Sequence, residues 1–172
     1  LYIRKKKNNK NIKLSFSKIF KEIKKKISPK KIVGGYYPVN FEIDILEILE
    51  NLEKKIGIQL SLPVIKKNNE MDFYSWYTKN LLKLNKYGIP EPEKTKKVFP
   101  DIIFVPVVAF DNRLYRIGYG GGYYDRYIHK ISNKKKLLKI GIAHSCQKIN
   151  KVPINKYDKK LDIIITEKYI LR

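Results

Sequence analysis

Four of the chain's nine glycines stand in five positions, within Arg116-Ile117-Gly118-Tyr119-Gly120-Gly121-Gly122-Tyr123-Tyr124-Asp125-Arg126. Ordinary turns do not need so many. Glycines let backbone N–H groups converge on an anion, and a helix opening at Tyr123 aims its positive end at the same point. Of five arginines, Arg113, Arg116 and Arg126 fall within or beside this run, whereas 33 other cations are lysine. Guanidinium is a planar, bidentate donor that matches phosphate, so the clustering points to a phosphate cradle. Asp125 follows directly, where a carboxylate could hold magnesium against nucleotide oxygens, and Asp158 and Asp162 are further candidates. The run lacks the Lys-Ser or Lys-Thr pair of a Walker loop and only loosely imitates a dinucleotide loop. On spacing alone a second reading stays open, a hairpin turn and bulge that need positive φ.

The elements that must position these residues read as a layered α/β unit. Leu14, Phe16, Ile19, Phe20, Ile23 and Ile27 recur at helical spacing, predicting an amphipathic N-terminal helix over about 14–27, ended by Ser28-Pro29. Lys31 to Tyr37 reads as a strand. Asp44 and Glu47 form a capping pair for a helix through Ile56, closed at Gly57, and a strand follows over Ile58 to Val64. Met71 to Tyr77 reads as extended, and Asn80 to Phe99, with Gly88, Pro90 and Pro92, as a long loop. Ile102 to Val108 is the unbroken apolar run of a strand covered on both faces, hence the central strand. Tyr123 to Ile131 has the spacing of a short helix; Lys139 to Ala143 and Leu161 to Thr166 are two more buried strands. Together they predict one α/β domain over residues 1–172, with a central, largely parallel sheet flanked by helices.

Composition narrows the function classes. Apolar residues at 43% and aromatics at 12% suit a globular chain, and no stretch approaches the roughly 18 to 20 apolar residues a bilayer span requires. The first residues lack the apolar core of a signal peptide, and the lone Cys146 excludes an internal disulfide, so a cytoplasmic protein is expected. A net charge of +22 invites a nucleic-acid-binding module whose glycine loop is only structural. Lysines scattered along every segment read instead as a solvated surface, so no nucleic-acid partner is expected. His144, after a buried strand, is a candidate to line the cleft; His129 reads as solvated.

Pro100 to Arg126, PDIIFVPVVAFDNRLYRIGYGGGYYDR, resembles the signature of the 5-formyltetrahydrofolate cyclo-ligase family. Further pieces follow in that family's order: Gly35-Tyr36-Tyr37-Pro38 with Glu42-Ile43-Asp44, Gly88-Ile89-Pro90-Glu91-Pro92, Ile140-Gly141-Ile142-Ala143 with Gln147, and Asp158 before Leu161-Asp162. The resemblance implies an ATP- and magnesium-dependent closure of 5-formyltetrahydrofolate to 5,10-methenyltetrahydrofolate by a monomeric enzyme, with phosphorylation of the formyl oxygen. It implies ATP contacts for Arg4, Arg116, Ile117, Gly118, Tyr119, Gly120, Gly121, Gly122, Tyr123 and Tyr124. Substrate contacts fall to Tyr37, Glu42 and Tyr119 to Tyr123, catalytic roles to Arg116 and Tyr123, and magnesium ligation to Asp125 and Asp158. Aromatic faces suit a flat pterin, which makes Tyr37, Trp76 and Tyr87 candidate walls. Where the family has a lysine a few residues before the arginine matched by Arg4, that position would precede Leu1.

Overall fold

The computed structural model describes residues 16–172. One large sheet has a parallel core of β1 (Ile32–Gly34), β2 (Gln59–Ile65), β7 (Ile102–Pro106), β10 (Leu138–Ile142) and β11 (Ile163–Ile165). Antiparallel strands lie at its flanks: β3 (Met71–Trp76), β6 (Lys97–Val98) and β12 (Ile170–Leu171). The eight strands run in the order β12-β11-β10-β7-β1-β2-β3-β6. A largely parallel sheet flanked by helices is therefore what the structure contains, with β7 in its interior as its unbroken apolar run predicts.

Alternation along each strand divides the core in two. Ile102 and Phe104 of β7, with Ile140 and Ile142 of β10, face α1 (Phe16–Ile23) and α2 (Leu46–Ile56). Ile103 and Val105 face the opposite layer, which α3 (Tyr123–Ser132) covers with Tyr127, Ile128 and Ile131. Strands buried on both faces have no polar side, which is why they read as continuous apolar runs.

The chain leaves β1 through α2 to β2 on one side, then returns to place β7 on β1's other side and continues through α3 to β10. Winding reverses between β1 and β7, and such reversals open a crevice at the carboxyl ends of the flanking strands. Here those ends lead into Gly35-Tyr36-Tyr37 and into Val107-Val108.

Three local expectations change. The N-terminal helix ends at Ile23 rather than near Ile27, because the chain tightens, with Lys26 N donating to Ile23 O at 2.7 Å. The Asp44–Glu47 capping pair shifts: Ile45 is the cap position, and Asp44 Oδ1 accepts from Leu46 N at 2.8 Å. The expected loop Asn80 to Phe99 carries β6 and a small hairpin, β4 (Lys83–Leu84) with β5 (Pro90–Glu91). Pro90 is tolerated because a two-residue strand at an edge leaves its missing N–H unneeded.

Candidate functional site

After β7 a hairpin, β8 (Ala109–Phe110) and β9 (Arg116–Ile117), delivers the glycine run to the crevice. Its turn is built on the buried Asp111, whose Oδ1 accepts from Arg113 N at 2.9 Å and Tyr115 N at 3.3 Å. Gly122 is the N-cap of α3 at φ 62°, and Gly120 has φ 85°. Both positions are left-handed, where a Cβ is strained. No side-chain cap bonds the first turn of α3. The glycine run therefore turns with positive φ, as the turn reading requires, and ends on a helix N-terminus.

Arg116 and Asp125 meet in a bidentate pair, Nη1 to Oδ1 at 3.1 Å and Nη2 to Oδ2 at 2.9 Å. The Arg116 side chain is only 5% exposed and that of Asp125 20%, so the pair is screened from bulk water. Arg116 Nη1 also donates to Lys159 O at 3.2 Å, and Asp125 Oδ1 accepts from Lys159 N at 2.9 Å. A guanidinium has five N–H donors, and these bonds leave the Nε–H and one Nη2–H of Arg116 unused.

Arg116, Ile117, Gly118, Gly120, Gly122 and Asp125 line a pocket of about 970 Å³, and Asp158 lines it too. The wall is cationic: Arg116, Arg126, Lys156 and Lys159 stand against Asp125 and Asp158. His129, read from sequence as solvated, is exposed yet also lines the pocket. Lys156 and Lys159 carried no local signal in a lysine-rich chain. Their contribution becomes visible only when the loop folds back over α3.

Other candidates fall elsewhere. Tyr119 is half exposed outside the pocket wall. The hydroxyl of Tyr123 lies 3.4 Å from that of Tyr87 and 3.3 Å from Asn69 Oδ1. The hydrogen bond between the two phenols lowers the pKa of Tyr87 and raises that of Tyr123. Burial pushes the Tyr124 phenol up, with the negative Glu42 adding to the effect and Arg116 opposing it, so both candidate residues lie within electrostatic reach of Tyr124. Glu42 itself is buried, closing a turn with positive φ at Asn40 and Phe41: its N donates to Val39 O and its Oε2 accepts from Val39 N, each at 2.9 Å. Tyr37 is half buried just after β1.

Several expectations do not hold as positions in the cleft. Arg113 does not line the pocket but pairs with the buried Asp111, at 2.9 Å through Nε and 2.7 Å through Nη2. Trp76 is a core residue packed with α1 and α2, not a wall, and its Nε1 has no hydrogen-bond partner among the described residues. His144 is wholly buried. Asp162 pairs with Lys139, accepting from its N at 2.7 Å. Arg4 lies outside the described residues.

The donors suit magnesium only in company. Among the described residues no group of three His, Cys, Asp or Glu could form a cage. Magnesium, however, is commonly held by one or two carboxylates together with substrate phosphates and water. Asp158 uses Oδ2 to accept Asn155 N at 2.7 Å, and Asp125 keeps lone-pair capacity on Oδ2, so both can offer an oxygen to the same pocket.

The fold is that of a doubly wound α/β protein, and the pocket beside the N-terminus of α3, with an excess of cations on its wall, has the chemistry that suits an anionic ligand. The chain belongs to the 5-formyltetrahydrofolate cyclo-ligase family, whose model matches residues 4–167. It is 31% identical to the 5-formyltetrahydrofolate cyclo-ligase of Haemophilus influenzae, covering 78% of this chain and 75% of that one. The Escherichia coli K12 cyclo-ligase is also 31% identical, with 78% and 76% covered. The solved 5,10-methenyltetrahydrofolate synthetase of Aquifex aeolicus superposes with TM-score 0.71 at 32% identity, covering 99% of this chain and 91% of that one. The Mycoplasma pneumoniae synthetase superposes with TM-score 0.66 at 26% identity, covering 96% and 97%. The nucleic-acid module suggested by charge alone finds no support among these relatives. No helix among the described residues is long and apolar enough to cross a membrane.

Proposed function

We propose that the chain is an ATP-dependent ligase that closes 5-formyltetrahydrofolate to 5,10-methenyltetrahydrofolate, releasing ADP and phosphate. The observation that carries the reading is that Arg116, Asp125, Asp158 and the glycine run share one pocket of about 970 Å³. Pockets that take molecules of nucleotide size run to roughly 300–1,000 Å³. The excess of cations on its wall complements a triphosphate, and the buried carboxylate of Glu42, whose charge is felt at Tyr124 of α3, is the group proposed to hold a pterin nitrogen.

A formyl amide is a poor electrophile. Transfer of the γ-phosphoryl group to its oxygen breaks the bond to ADP and leaves N5 as an iminium carrying a good leaving group. N10 then attacks that carbon, the carbon–oxygen bond breaks to release phosphate, and N10 loses its proton. Catalysis of this kind is alignment and charge neutralisation. In the proposal the Gly118 to Gly122 amides orient the phosphate chain and the two spare donors of Arg116 neutralise it. The stretch from Tyr119 to Tyr123 borders the folate, with Tyr37 beside it. Asp125 and Asp158 would hold magnesium, whose chemistry when bound is to neutralise charge on the phosphate oxygens.

We further propose that the chain acts as one domain, as a monomer, in the cytoplasm, with no nucleic-acid partner. Purified protein mixed with 5-formyltetrahydrofolate, ATP and magnesium is expected to generate the near-ultraviolet absorbance of the methenyl product. Absence of that signal, with ATP and folate both bound by calorimetry, overturns the reaction while sparing the site.

A further inference from the structure

Arg113 belongs to the arginine cluster of the glycine run, yet it does not line the pocket. Its partner Asp111 is completely buried. Burial alone would raise the Asp111 pKa, but hydrogen bonds from Val152 N and from Arg113 hold it below the ordinary value. The two side chains also grip one residue's backbone from both sides: Arg113 Nη2 donates to Val152 O at 2.7 Å, and Asp111 Oδ2 accepts from Val152 N at 2.9 Å.

The same device recurs at Lys159. The Arg116–Asp125 pair takes the O of Lys159 at 3.2 Å and its N at 2.9 Å. Between these two clamped residues runs Pro153 to Asp158, of which Pro153, Asn155, Lys156, Tyr157 and Asp158 line the pocket. Inside the segment, Asn155 Oδ1 accepts from Tyr157 N at 2.8 Å and Asp158 Oδ2 from Asn155 N at 2.7 Å. A loop clamped at one end only would hinge, and a ligand would have to order it on binding, at a loss of affinity.

We propose that Asp111 and Arg113 are positioning residues for the nucleotide half of the site: they fix the far end of the 153–158 wall, so that Lys156 and Asp158 stand ready for a polyphosphate. The inference rests on the nucleotide reading of this pocket. Neither residue lines the pocket: Arg113 reaches it through Val152, whereas Asp111 also builds the turn of the β8–β9 hairpin, so the test substitutes Arg113 and leaves Asp111 in place. Lysine cannot replace Arg113 fully, because one ammonium does not reproduce the planar fork that meets a carboxylate and a carbonyl together.

The test uses the full chain and three substitutions, Arg113→Ala, Arg113→Lys and Asn155→Ala, the last loosening the same loop from its exposed interior. Initial rates give KM for ATP and for 5-formyltetrahydrofolate, and amide exchange is followed over residues 153–159 and over α3. For Arg113→Ala the KM for ATP should rise about tenfold, the effect of one lost charge-assisted hydrogen bond. The KM for the folate should stay within about twofold, exchange should quicken in 153–159 but not in α3, and Arg113→Lys should fall between. Quickened exchange with an unchanged KM for ATP overturns the inference, as does a parallel change in both KM values and kcat. Should Arg113→Ala fail to fold, Arg113→Lys carries the test, and quickened exchange with an unmoved KM for ATP there has the same force. Wild-type protein that gives no heat with ATP refutes the nucleotide reading instead, so the two failures are distinguishable.

Discussion

Replacing Asp72 by asparagine tests how the α3 layer is held to the sheet. Asp72 lies on β3 with its side chain 1% exposed, and three ammoniums reach it: Lys66 at 2.5 Å, Lys97 at 2.8 Å and, from α3, Lys130 at 3.3 Å. Burial alone would raise its pKa, but hydrogen bonds from Lys66 and Lys97, with the charges of Lys97 and Lys130, bring it from 3.8 down to about 2. A pKa depressed on folding means that the folded state favours the carboxylate. The stabilisation is therefore complete above about pH 5 and is lost as pH falls through 4 toward 2. At roughly 1.4 kcal/mol per pKa unit, the depression corresponds to about 2 kcal/mol. Urea unfolding of wild type and Asp72→Asn at constant ionic strength should show the variant less stable by about 2–4 kcal/mol at about pH 6, since three lysines then face a neutral amide. The gap should narrow by about 2 kcal/mol between about pH 5 and pH 2. A gap that does not change with pH refutes the electrostatic account and leaves only lost packing and hydrogen bonding.

Arg116→Ala should lower kcat/KM for ATP by about 1.5–3 kcal/mol, roughly ten- to hundredfold, measured by initial rates; an unchanged value removes Arg116 from the nucleotide site. Gly122→Ala places a Cβ at φ 62° and 2.8 Å from Arg126 Nη1. Thermal unfolding should report a loss of roughly 1–2 kcal/mol for the left-handed conformation, together with weaker ATP binding by calorimetry. Glu42→Gln keeps an oxygen for the Val39 N–H. The KM for the folate alone should rise about tenfold from the lost charge, and an equal rise in the KM for ATP would contradict the assignment of Glu42 to the pterin.

The parallel core was legible because burial on both faces forces an unbroken apolar run, which Ile102 to Val105 and Ile163 to Ile165 both display. The glycine run was legible because positive φ and helix-terminal geometry restrict residue type. Short edge elements were not: β4, β5 and β6 are two residues each, too short for any period to register. Trp76 illustrates a different limit. An aromatic among aromatics fits a ligand wall or a core equally well on paper, and only the position of α1 and α2 over β3 decides it. The wall from Pro153 to Lys159 was invisible for a third reason, since the bonds that hold its two ends reach back 34 to 43 residues to Asp125, Asp111, Arg113 and Arg116.

The arginine cluster shows how one sequence signal can have two physical origins. Selection for phosphate contacts would place guanidiniums in the pocket, yet each of these three also bridges acceptors on separate segments. Arg113 joins Asp111 to Val152, Arg116 joins Asp125 to Lys159, and Arg126 joins Asn69 O, at 2.9 and 2.7 Å, to Gly121 O. A lysine supplies charge but not a planar fork that spans two acceptors at fixed angles. In a chain that uses lysine almost everywhere else, arginine thus persists where loops must be cross-braced as well as where charge is needed. The two origins separate in Arg→Lys variants: at Arg113 the change should act on ATP only through loop order, whereas at Arg116, which both clamps Lys159 and lines the pocket, it should weaken ATP binding by more than an equal quickening of exchange in 153–159 does at Arg113.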